Sequence, residues 1–134
     1  MRQALNMPVL VLGLSIGALP AGAQTTNTAW QATPASVLKT TLRNVVSAQD
    51  SYKEKHGKYA NSLETLRVSG GSDVRIQIQA ATESGWRAKA THRTRPGRSC
   101  VVFVGKLRVG EAPRTDGDGE MAGEERVPLC DRME

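Results

Sequence analysis

Aromatic side chains are scarce in this chain, with two Trp, two Tyr and one Phe among 134 residues. A core built from them alone is excluded, so any core rests on Val, Ile, Leu and Ala. Cysteine is scarcer still, at two residues, which excludes a metal site with cysteine-pair spacing and any C-x-x-C redox motif. The two histidines, His56 and His92, lie far apart and neither sits in a ligand-spaced motif. No Ser/His/Asp motif context and no phosphate-binding Gly-rich loop occurs, so the sequence argues against an enzyme. Internal repeats are absent, and after Leu19 no long apolar run follows.

The first 23 residues read as a secretory signal. Arg2 supplies a short basic region, Met7 to Leu19 an apolar run shorter than the roughly 20 residues of a spanning helix, and Ala21-Gly22-Ala23 an A-x-A cleavage signature before Gln24. No cysteine stands at the cleavage point to carry a lipid. The expectation is a mature protein without a transmembrane segment, periplasmic or secreted. Removing 23 of 134 residues leaves 111, enough for one domain. Since Arg2 is the only charge removed, 17 Lys and Arg remain against 13 Asp and Glu. This mild basic excess is compatible with polyanion contact without diagnosing it. In an exported compartment the pair Cys100 and Cys130 is expected to form a structural disulfide.

Residues 24–33, rich in Thr, Asn, Gln and Ala, read as a flexible leader. Thr33-Pro34 then opens a helix, Thr33 as cap and Pro34 at the first position, where a missing N–H costs nothing. Leu38, Leu42, Val45, Gln49 and Tyr52 recur on one face, and Gly57 supplies the left-handed exit. Asn61-Ser62-Leu63-Glu64 resembles a capping box that opens a short helical turn. From Val74 the period changes to two: Val74, Ile76 and Ile78 alternate with Arg75 and Gln77, and Trp86, Ala88 and Ala90 with Arg87 and Lys89. Cys100 to Val104 is apolar without alternation, as in a strand covered on both faces. The segment around Val127, Leu129 and Cys130 is the expected cover, with residues 105–126 a long loop. The fold class is α+β: a long N-terminal amphipathic helix on a small antiparallel meander, with a disulfide-closed C-terminal loop, over residues 34–134.

Ala48-Gln49, Tyr52, Gly57, Tyr59 and Leu63, then Gly85-Trp86 on a strand and the cysteine pair, resemble the globular part of type IV pilins and type II secretion pseudopilins. The resemblance spans residues 34–134. It departs at the start: the apolar run carries Pro8, lacks the fifth-position glutamate and ends in a signal-peptidase site. The prepilin assembly helix is therefore missing, and no residue role in polymerisation carries over. What the resemblance implies is an exported, non-catalytic domain that docks to a pilus-type or secretion-type assembly, or binds an extracellular macromolecule, through a protein partner in the cell envelope.

Two residue groups are candidate sites. Arg87, Lys89, Arg93, Arg95 and Arg98 lie on one hairpin, and alternation points the first three to one solvent-facing side. Such a stripe is the alternative function, a polyanion module for DNA or acidic glycan, although no aromatic interleaves it. Its plainer reading is a solvated sheet face that discourages edge pairing. Asp116, Asp118 and Glu120 alternate as in the opening of a calcium loop. The EF-hand template fails, because Met121 and Val127 stand where Gly and Glu are required. Calcium binding in the C-terminal loop of major pseudopilins keeps these three as a weak candidate, and a solvated acidic turn is the plainer reading. No other cofactor is expected.

Overall fold

The computed structural model describes residues 32–108 and 110–133. The expected export signal at 1–23 and nearly all of the leader at 24–33 lie outside the described residues.

Helix α1 runs Pro34–His56. The Thr33 hydroxyl accepts the Ser36 N–H at 3.2 Å, and Gly57, at φ 73°, donates its N–H to the Lys53 carbonyl. Only a residue tolerant of left-handed backbone closes the helix this way. Lys53, Lys55 and His56 occupy the last turn, where the exposed carbonyl dipoles favour cations. The buried stripe is Leu38, Thr41, Leu42, Val45, Val46 and Gln49. Helix α2, Leu63–Leu66, is capped by Ser62. The reciprocal partner of that cap is Thr65, whose hydroxyl lies 2.7 Å from the Ser62 hydroxyl, and not Glu64.

The sheet is antiparallel in the order β1 (Val74–Ala81), β2 (Gly85–His92), β3 (Ser99–Gly105) and β4 (Leu129–Cys130). Register pairs Ile76 with Ala90 and Ile78 with Ala88, then slips at a bulge between Ile78 and Ala80. Beyond β2, Ala88 faces Val102 and Ala90 faces Cys100. The α1 stripe packs on this side with Ile76, Trp86, Ala88, Ala90, Cys100, Val102 and Val104 in one core. Alanines on β2 let the helix approach closely, and the fully buried Trp86 fills the end of the layer.

The C-terminal segment was expected only as a cover, yet Leu129 and Cys130 also join the sheet beside β3. Asp131 N–H donates to the Ser99 carbonyl at 2.9 Å, which makes the neighbouring Cys100 and Cys130 a non-hydrogen-bonded pair, the closest approach two antiparallel strands offer. The Cys100–Cys130 disulfide closes there, on the helix side of the sheet. It is the pairing the sequence suggested.

Candidate functional site

The far face of the sheet and the loop laid over it hold most of the sequence-derived candidates. Arg87, Lys89, Ser99 and Val101 share it through the register Arg87 to Phe103 and Lys89 to Val101. Val101 and Ser99 are completely buried although they face away from α1. Their cover is the loop after β3, which buries Pro113, Thr115, Ala122 and Pro128.

That loop is held by three of the candidate basic residues, two of which, Arg87 and Lys89, were expected to face solvent. Arg87 donates to the Glu111 carbonyl at 2.6 Å, Lys89 pairs with Asp116 at 2.8 Å, and Arg98 pairs with Asp118 at 2.8 Å. The Lys89 side chain keeps only 20% of its exposure. The expectation that Arg87 and Lys89 stand in solvent is therefore corrected. A strand's alternation identifies the side opposite the helix, but the water-facing state of that side depended on a loop lying far along the chain. Arg93 does face solvent, at 76% side-chain exposure, and pairs with Asp73 at 2.8 Å. Arg95 lies apart, donating through Nε to the Met133 carbonyl at 2.7 Å.

The acidic group is absorbed in the same contacts. Asp116 serves Lys89, and Asp118 accepts from Arg98 through one oxygen and from the Arg132 N–H through the other. Glu120 donates its N–H to the Thr115 hydroxyl within a tight turn. Among the described residues no three His, Cys, Asp or Glu side chains come together as a metal site, so the loop does not gather its carboxylates around a calcium position.

Sequence reasoning missed the residue that organises the loop, Asp131. It is 3% exposed and accepts backbone N–H groups from Ser99 and Gly117 at 2.8 Å and from Asp118 at 2.6 Å. Burial by itself raises a carboxyl pKa. Here the hydrogen bonds from Asp118, Thr115, Gly117 and Ser99 outweigh it and hold Asp131 below the ordinary aspartate value. Its place next to Cys130 was the available signal. A carboxylate one residue from a disulfide-anchored strand is positioned to meet the turn that the strand encloses.

A second unforeseen clamp joins loop to helix. Arg126, at φ 70°, donates its N–H to the Phe103 carbonyl and forks its guanidinium onto Asp50 of α1 at 2.6 and 3.1 Å. The hydrogen bond that Arg126 donates to Asp50 raises the Arg126 pKa against a smaller opposing effect of burial. Glu125 also accepts the Gly105 N–H. Thus the loop is tied to β2, β3, β4 and α1. What it leaves outward are Met121 and Val127, the exposed large apolar side chains among the described residues.

No protein-family model matches this chain, and no curated protein is significantly similar to it.

Proposed function

We propose that this chain is an exported, non-catalytic binding domain of pilin-like design that docks to a protein partner in the cell envelope. One observation carries the reading: the loop after β3 is fixed from behind by the disulfide, Asp131, two ion pairs and the Arg126 fork, yet carries the apolar Met121 and Val127 outward. A surface segment restrained in this way loses little conformational entropy when a partner seats on it. The order of elements supports the pilin-like part: a capped helix, a glycine exit, a short second helix, a meander, and a C-terminal segment bridged to the third strand.

The polyanion alternative loses weight for a specific reason. Three of its five cations, Arg87, Lys89 and Arg98, are spent on the protein's own loop. The test of docking is photo-crosslinking in the native host, with the probe at Met121, at Val127, or at Arg43 on the exposed side of α1. The expected result is a discrete protein adduct in the envelope fraction from the two loop positions and none from position 43. Absence of loop adducts, or adducts equal from all three positions, overturns docking through this loop.

A further inference from the structure

The basic residues not used by the loop gather elsewhere. Arg93 and Arg95 join Arg75 of β1 and His92 of β2 around a cleft of about 370 Å³, between the Ser72–Val74 turn and the hairpin that joins β2 to β3. We infer that this cleft is an anion-recognition site for an acidic, extended segment of the docking partner, a step that rests on the docking reading and names the chemistry of one contact.

The charge count favours an anion. Asp73 is the only acidic residue lining the cleft, and it is engaged by Nε of Arg93, against three guanidinium groups. Arg75 is exposed, and its side chain makes no hydrogen bond or ion pair among the described residues. The donors are also oriented. Arg95 is fixed through Nε to the Met133 carbonyl and through Nη1 to the Thr94 carbonyl, which leaves Nη2 unengaged. The Thr94 N–H donates to Nδ1 of His92 at 3.2 Å, so a neutral His92 ring carries its proton on Nε2 as a further donor. The Arg95 guanidinium, held by two backbone carbonyls, loses less freedom on meeting a carboxylate than a free surface arginine does.

The occupant follows from the lining. Val74, Pro96 and Gly97 stand among the cations, a mixture that suits a peptide backbone with acidic side chains. A nucleic acid is less well served, because no Trp, Tyr or Phe lines the cleft and its cations are confined to one end of the sheet.

The test is a fluorescence titration of the purified, oxidised domain with a ten-residue glutamate-rich peptide, with a 20-base-pair DNA duplex and inorganic phosphate as parallel probes. The expected result is saturable peptide binding that Arg75→Gln weakens about tenfold, the equivalent of one charge-assisted hydrogen bond, and that Arg43→Gln leaves intact. Thermal melting should be unchanged in Arg75→Gln, which separates lost binding from lost folding. The inference is overturned if the peptide fails to saturate, if Arg75→Gln and Arg43→Gln behave alike, or if the duplex or free phosphate binds more tightly than the peptide. Loop crosslinks at Met121 and Val127 with no peptide binding would leave docking standing and remove only the acidic-segment inference.

Discussion

Asp131 and Gln49 are the two buried polar side chains whose removal leaves the most unfinished. Asp131→Ala takes the acceptor from three backbone N–H groups and is expected to cost about 3 kcal/mol, measured by urea unfolding at neutral pH. The same carboxylate makes the protein acid-sensitive. Its folded pKa is lowered, so its contribution is complete above the unfolded value of about 3.9 and is lost as pH falls through the folded pKa. The stability difference between wild type and Asp131→Asn should accordingly shrink as the pH is taken from 6 to below about 3.9. A gap that does not change with pH would mean that Asp131 acts by shape alone. Gln49, completely buried on α1, donates to the Ala60 carbonyl at 2.7 Å and accepts the Ala60 N–H at 2.8 Å, tying the helix to the chain just beyond its glycine exit. Gln49→Ala should cost about 2–4 kcal/mol, from two unpaired backbone groups and a cavity. The helical phase already placed Gln49 on the core face. Its partner was illegible, since nothing in Ala60 marks a backbone that must meet a side-chain amide.

Between elements, the contact that decides the fold is α1 on the sheet face formed by the alanines of β2 and Cys100, Val102 and Val104 of β3. Leu42 is completely buried there, whereas Arg43 is exposed. Leu42→Ala is expected to cost about 2–5 kcal/mol and Arg43→Ala less than about 0.5, compared by chemical denaturation. Equal small losses would place the helix in the wrong rotation. This layer was legible because each partner advertises itself: a three-and-four stripe on α1, strict alternation on β1 and β2, and an unbroken apolar β3 that needs two covers. The second cover was only half legible. Cys130 pointed to where the C-terminal segment attaches, but no periodicity in residues 105–126 told that Asp116 and Asp118 would answer Lys89 and Arg98. Opposite charges in distant segments look the same in sequence whether they meet each other or water.

Across the whole molecule, that mutual neutralisation sets how the domain meets other charged bodies. With Lys89 and Arg98 paired to carboxylates and Arg87 engaged by the Glu111 carbonyl, duplex DNA is expected to bind weakly, with a log–log salt slope of about −3 or shallower, as for the three guanidiniums at the cleft. Changing Arg87, Lys89 and Arg93 together to Gln should release the loop, seen as faster amide exchange at residues 115–120. It should also lower the melting temperature, where a solvated stripe would leave both unchanged. Cys100→Ser is expected to cost about 2–5 kcal/mol, and thiol titration of denatured, unreduced protein should find no free thiol.

The neighbouring placement of Cys100 and Cys130 on β3 and β4 also bears on the order of assembly. The first three strands are joined by short hairpins, while Cys130 of β4 lies 30 residues beyond its partner Cys100 of β3. A pairing across so long a loop must meet a larger closure entropy before its contacts form than a hairpin does, so the meander and helix should organise first and the C-terminal strand last. Oxidation then acts as a latch on a nearly finished sheet. With only two thiols there is no incorrect pairing within a chain, and the one hazard during maturation is a bond between two molecules caught before β4 docks.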